Sequence, residues 1–365
     1  MVTEKMYDKL AQLVVRKGVN VQKDQPVVIR AHVQDAAFVK KIVKCAYEAG
    51  ARYVSVEWHD SDLTRMAYEY ESKEVLSQVP QWKYDKTKVQ HDDGACYITV
   101  LSDKPGVMAG VDSEKIKAAN MAYYTKMADL MSYTMNNEGQ WSVIGVPSVE
   151  WAKIVFPDLP EEEAFEKLGD AIFAVTRVSE DNDPIAEWNL HDKELIEHAQ
   201  KMNSYRFVKL HFTSELGTDV EVELVKDHIW VIDGFWLRFE NGKAVEFGAR
   251  EGEDALAQLL SYDEGSAYLG EVALVPYDSP VSQSGILFFN TLYDENAACH
   301  LALGRPYPEN IEGGETMSKE ELAAHGANDS MQHVDFMIGT RGTDIDGILE
   351  DGSVVPVFRD GNWVD

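Results

Sequence analysis

Cysteine is scarce: the 365 residues contain three, Cys45, Cys96 and Cys299, and no CxxC pair. That count argues against a disulfide framework and a thiolate zinc site, and it makes the cytoplasm the expected compartment. Basic residues are also few, 34 against 63 acidic ones, for a formal net charge of -29. A field of that sign repels phosphate backbones and anionic lipid, so neither nucleic acid nor a membrane surface is the expected partner. No apolar run approaches the roughly 20 residues that cross a bilayer. The opening MVTEKMYDKLAQLVVRKG reads as an amphipathic helix with charges throughout, where a signal peptide would need an unbroken apolar segment. After the first strand the chain runs RAHVQD, with no GxGxxG or GxxxxGK, so nucleotide binding loses its best sequence support.

What is present is the balance of a globular protein, 45% hydrophobic and 27% charged, in a chain long enough for two domains. QPVVIRA (25–31) and RYVSVEW (52–58) read as strands around the helical DAAFVKKIVKCAYEAGA (35–51), which ends at Gly50. Such a βαβ unit requires a parallel sheet. ACYITVLS, WSVIGVPS and the helical EEEAFEKLGDAIFAV continue the alternation, which gives an α/β N-terminal domain over 1–190. The polar RVSEDNDPIAEWNLHD (177–192) is the best linker candidate. Beyond it YRFVKLHFTS, DVEVELV and IWVIDGFWLRFENGKAVEF read as strands joined by tight turns, with Asn241-Gly242 the clearest hairpin signal and GEDALAQLLSY (252–262) an interposed helix. The expectation for 191–365 is an α+β, mostly antiparallel catalytic domain.

The residues capable of chemistry gather there. In LGEVALVP, Glu271 opens a strand-like apolar segment, where a lone acid is costly to bury without a cation or donor. In QHVDFMIG, His333 and Asp335 stand two apart, so on a strand they share a face. His300 in DENAACHLALGRPY offers another nitrogen. Two imidazoles with carboxylates suit zinc, cobalt or manganese. Each residue also has a plainer use. A histidine among alanines is commonly a hydrogen-bonded packing residue, HxD pairs occur on exposed strand faces, and Asp294 and Glu295 suit capping. In one regular helix Glu295 and His300 would lie about 140° apart, so joint ligation needs a break between them. Tyr307, between Pro306 and Pro308, belongs to a rigid loop. His32, His59, His91, His191, His198, His211, His228 and His325 read as structural or surface residues.

The order GEVALVP, LFFNTLYDENAACHLALGRPYPEN, HGANDSMQHVDFMIG and DGILEDGSVVPVFRDGNWV, with the N-terminal VNVQKDQPVVIRAHVQDAAFVKKIVKCAYEAGARYVSVEW, resembles the M29 family of metalloaminopeptidases over nearly the whole chain. The resemblance implies a cytoplasmic homodimer that removes N-terminal residues from peptide substrates with two divalent metal ions, cobalt, zinc or magnesium. Carried over by motif, Glu271 resembles a bridging ligand, His300, His333 and Asp335 resemble further ligands, Glu295 an acid of the same site that serves as ligand or proton carrier, and Tyr307 the catalytic tyrosine. One departure stands out. Family members carry a further segment with Pro-Thr-Glu-Glu, one glutamate of which is a ligand, where this chain passes from Trp230 straight to Gly234. Glu215, Glu221, Glu223 and Glu240 are the acids available as substitutes. Alternative readings are a family relative with impaired metal binding and a non-enzymatic peptide-binding dimer.

Overall fold

The computed structural model describes residues 2–225, 228 and 259–364, with the backbone alone at 238–240 and 243–246. The chain separates into two compact units, Met1–Leu190 and His191–Asp365.

In the first unit β1 (Pro26–His32), β2 (Tyr53–His59), β3 (Cys96–Leu101) and β4 (Trp141–Gly145) form a parallel sheet in the order β2-β1-β3-β4. Central β1 is buried on both faces, and its run of Val27, Val28 and Ile29 is fully shielded from water. Such continuous apolar strands are the mark of a parallel sheet covered by helices. The amphipathic helix Glu4–Leu13 supplies Leu10, and the turn after it Val14 and Val15, to the same core as Ile29, Ile42, Ile98 and Phe173. Each such side chain contributes roughly 1.5–3 kcal/mol when fully buried. The crossover helix Ala36–Ala49 stops at Gly50, whose φ of 101° is left-handed and suits glycine. The β1 and β2 registers pair His32 with His59, so two strand ends finish side by side.

The expected linker at 177–192 is corrected: from residue 184 it is helix, part of Pro184–Tyr205. The Asp183 carboxylate accepts from the backbone N–H of Ile185 (3.0 Å) and Ala186 (3.3 Å), and Pro184 brings a helical φ to the first turn. Polar composition hid a capped helix.

The second unit holds β5 (Lys209–Thr213), β6 (Asp219–Glu223), β7 (Arg238–Glu240), β8 (Lys243–Glu246), β9 (Leu269–Ala273), β10 (His300–Gly304), β11 (His333–Met337), β12 (Asp344–Ile348), β13 (Val354–Arg359) and β14 (Asn362–Trp363). An antiparallel sheet runs β14-β13-β12-β5-β6, and β10 with β11 and β7 with β8 form antiparallel pairs. Phe212, Leu301, Ile345 and Phe358, none of them accessible to water, share one core beneath these strands. The Asn241-Gly242 turn, the Trp230–Gly234 junction and most of the expected helix at 252–262 lie outside the described residues. The three cysteines are buried and free. Among the described residues no helix is long and apolar enough to cross a membrane.

Candidate metal centre

Three strands deliver the residues of interest. In the β10–β11 pair His300 faces Met337, Ala302 faces Asp335 and Gly304 faces His333. Directly opposed residues share a face, and so do alternate ones, so His300, His333 and Asp335 project from the same side. Strand β9 runs alongside β10, and the Gly304 N–H donates to the Tyr268 carbonyl just before β9 (2.8 Å). The approach depends on Gly270, because a Cβ there would meet the Gly304 carbonyl oxygen at 2.5 Å. This close packing brings Glu271 to His333.

His333 Nε2 stands between two carboxylates, 3.1 Å from Glu271 Oε2 and 2.9 Å from Asp335 Oδ1. Its other nitrogen, Nδ1, donates to the Arg305 carbonyl at 2.7 Å. Since a carbonyl only accepts, the proton of the neutral ring is fixed on Nδ1 and the Nε2 lone pair faces the acids. His300, 1% exposed, repeats the device: Nδ1 donates to the Ala298 carbonyl at 2.7 Å. Histidines that bind metals are commonly oriented in this way. Burial, together with the nearby charge of His333, pulls the His300 ring down to about 2. Burial also opposes charge on His333, but Asp335 and Glu271 outweigh it and hold that ring up at about 10. Burial pushes the Glu271 carboxyl up from its ordinary value. Its Oε2 lies within ion-pair distance of His333 without the alignment of a hydrogen bond, and no hydrogen-bond partner satisfies it.

Glu295 opens the single 3-10 turn Glu295–Ala297, which packs against β11. The chain turns extended at Ala298 (φ -160°, ψ 165°) and enters β10 at His300, so the break that joint use of Glu295 and His300 demands is present. Asp294 is occupied with holding its own loop, since its buried carboxylate accepts from the N–H groups of Phe288 (2.7 Å) and Asn290 (2.9 Å). Tyr307 precedes the 3-10 turn Pro308–Asn310 and sets its ring edge against that of His333, with centroids 5.5 Å apart. Glu271 and Tyr307 line a cavity of about 430 Å³ together with Lys209, Glu221 and Glu223. Of the substitute acids, Glu221 and Glu223 therefore reach the cavity, both close to Lys209 (3.1 and 3.6 Å), whereas Glu215 accepts from the Thr340 hydroxyl (2.8 Å). The Glu240 side chain lies outside the described residues.

His32 and His59, expected to be structural or surface residues, stand with Asp103 as three donors whose ligand atoms all lie within 4.8 Å of one another. The available signal is positional: each residue ends a strand or follows one closely, in RAH, EWH and LSD.

The site at β9–β11 fits a divalent ion. A buried carboxylate oxygen lacks a hydrogen bond, two imidazoles are each oriented through Nδ1 by a backbone carbonyl, and the nitrogen and oxygen donors are those that zinc and cobalt accept. Similarity to known proteins agrees with that chemistry. The family described as "Thermophilic metalloprotease (M29)" matches residues 3–231 and 231–363, and this chain belongs to it. It is 41% identical over 399 residues to "Aminopeptidase AmpS" of Bacillus subtilis (strain 168), covering 97% of each chain. It is 39% identical over 406 residues to "Aminopeptidase 2" of Geobacillus stearothermophilus, covering 99% of this chain and 98% of the relative. The solved structure "Wild-type AmpT from Thermus thermophilus" superposes with a TM-score of 0.89 at 34% identity, over 100% of both chains.

Proposed function

We propose that this protein is a metal-dependent aminopeptidase that hydrolyses N-terminal residues from peptides, using a dinuclear divalent-metal centre in residues 191–365. The observation that carries the reading is the placement of His333 Nε2 between Glu271 and Asp335, with a Glu271 oxygen buried and without a hydrogen bond. Glu271, His300, His333 and Asp335 would hold the ions, with Glu295 as a further acid. When bound, the ions supply Lewis acidity and lower the pKa of water toward neutrality. Tyr307 would donate its hydroxyl proton as a hydrogen bond to the oxyanion that develops on the scissile carbonyl. Glu295 would carry a proton between solvent and the leaving amine. Glu221 and Glu223 on the cavity wall draw in the cationic N-terminus that defines an exopeptidase substrate. The enzyme works as a cytoplasmic homodimer in this reading.

A specific observation favours a second reading, in which the second ion is weakly held. The family match breaks at residue 231, and the alignments to relatives run over 399 to 407 positions although this chain has 365 residues. We read that break as the place of the Pro-Thr-Glu-Glu segment, which this chain's sequence lacks, and a centre loses affinity with each anionic ligand removed. Turnover of Leu-p-nitroanilide by chelator-treated protein, with zinc or cobalt added back, tests both readings. Activity that returns with the ion supports the enzyme; absence of turnover at every ion concentration refutes it.

A further inference from the structure

The geometry points to a second, separate metal site in the first unit: a single zinc-class divalent ion held by His32, His59 and Asp103, with the fourth position taken by the Ser61 hydroxyl or water. The location follows from the sheet. In the order β2-β1-β3-β4 the chain leaves β1 toward β2 on one side, while β3 lies on the other, so the loops after β1 and β3 diverge. A crevice at the carboxyl ends of the strands, at such a switch point, is where open parallel sheets take ligands. His32 is the last residue of β1 and Asp103 lies two residues past β3, so the pair straddles that crevice. His59 ends β2 in register with His32, and the two rings stand 4.0 Å apart.

The donors are held as ligands are. Asp103 Oδ1 accepts from Ser61 Oγ at 2.7 Å and from His32 Nε2 at 2.5 Å, and Ser61 Oγ lies 3.3 Å from the same nitrogen. Because the hydroxyl and the carboxylate share one nitrogen, the trio is no nucleophilic relay, which needs both ring nitrogens. Behind it, Ser102 Oγ donates to the buried Asp35 (2.7 Å) and accepts from Gln34 (3.1 Å), fixing the loop that carries Asp103. A lone His–Asp hydrogen bond would need no second imidazole. Two imidazoles and a carboxylate with an open position are a zinc-type set, in which donors stand roughly 3.3 Å apart around the ion. The donor atoms already lie within 4.8 Å of one another, so modest side-chain rotation would bring them to that spacing. An ion would take the place of the proton now shared by His32 and Asp103.

All of its donors belong to the first unit, and the test separates it from the centre proposed in the second. Full-length protein carrying His300→Ala and His333→Ala is stripped with chelator, equilibrated with zinc alone, and assayed for bound metal by elemental analysis, then with cobalt for the visible absorption of a four-coordinate ion. The expected result is one equivalent of zinc per chain, weakened at least about tenfold by adding His59→Ala or Asp103→Asn. Asp103→Asn preserves shape, so it remains decisive if His59→Ala fails to fold. Absence of zinc from the double variant, or binding that neither added substitution weakens, overturns the proposal.

Discussion

His300 and His333 share one face of the β10–β11 pair, yet the protein drives their rings in opposite directions, to about 2 and about 10. The difference is one of neighbours. His300 is enclosed and beside another imidazole, whereas His333 Nε2 has Glu271 at 3.1 Å and Asp335 at 2.9 Å. The two acids thus favour a proton on His333, and a bound cation would compete with that proton.

A pH dependence follows. His333 rises from 6.5 in the unfolded chain to about 10 in the folded one. Its protonation therefore stabilises the metal-free protein fully below pH 6.5, and that contribution is lost as pH climbs through 10. The thermal midpoint of metal-free protein should fall between about pH 7 and pH 10, and Glu271→Gln, which removes one of the two acids, should flatten that fall. Calorimetry in two buffers near pH 8 should show zinc displacing a proton. A midpoint equally steep in Glu271→Gln would contradict the assignment.

If His300 holds an ion as proposed, His300→Ala should lower kcat/KM by roughly 100-fold or more and reduce bound zinc, beyond what lost packing alone would do. Elemental analysis beside kinetics decides the matter. Unchanged metal content with full activity would return His300 to the role of a packing histidine.

How legible this centre is in the sequence differs residue by residue. His333 and Asp335 can be read locally, because the period of a strand puts alternate residues on one face wherever the strand packs. His300 cannot, since nothing in DENAACHLALG distinguishes a ligand from a core imidazole until β11 pairs with β10. His32, His59 and Asp103 are illegible for the same reason on a larger scale: only parallel pairing in register brings the ends of β1, β2 and β3 together. The parallel sheet itself is readable from alternating strand and helix signals, whereas the helix Pro184–Tyr205 hides behind polar residues whose capping role depends on position.

Gly270→Ala should harm the site without touching a ligand. The new Cβ would meet the Gly304 carbonyl oxygen at 2.5 Å, and that oxygen already accepts from Asn328 Nδ2 (2.8 Å). β9 would have to move away from β10 and take Glu271 with it. Overpacking of this kind costs about 1–3 kcal/mol. The expected signature is a lower thermal midpoint together with weaker zinc binding, measured by melting with and without metal; a stable variant of normal affinity would show that the approach of the two strands is not what positions Glu271.

Tyr307→Phe should keep the edge contact with His333 and remove only the hydroxyl. If that hydroxyl stabilises the oxyanion, kcat drops by about 100-fold to 1,000-fold while KM changes little. Steady-state kinetics on Leu-p-nitroanilide separate this from a binding role, in which KM alone would rise.

The last prediction concerns how many ions the chain holds. In the proposed reading Glu271, His300, His333 and Asp335 would hold one ion, but the relatives align over more positions than this chain possesses, and the family match divides at residue 231. Among the acids named as substitutes, Glu221 and Glu223 reach the cavity, and Lys209 lies 3.1 and 3.6 Å from them. A carboxylate already paired with an ammonium must give up that partner before it can bind an ion, which weakens it as a replacement ligand. Titration of metal-free protein carrying His59→Ala, to silence the first unit, should therefore give one tight ion and a second weaker by about tenfold or more. Lys209→Met should tighten the second step by freeing Glu221 and Glu223. Two steps of equal affinity would mean that the short passage from Trp230 to Gly234 removes no ligand the centre needs; a second step unmoved by Lys209→Met would exclude Glu221 and Glu223 as its source.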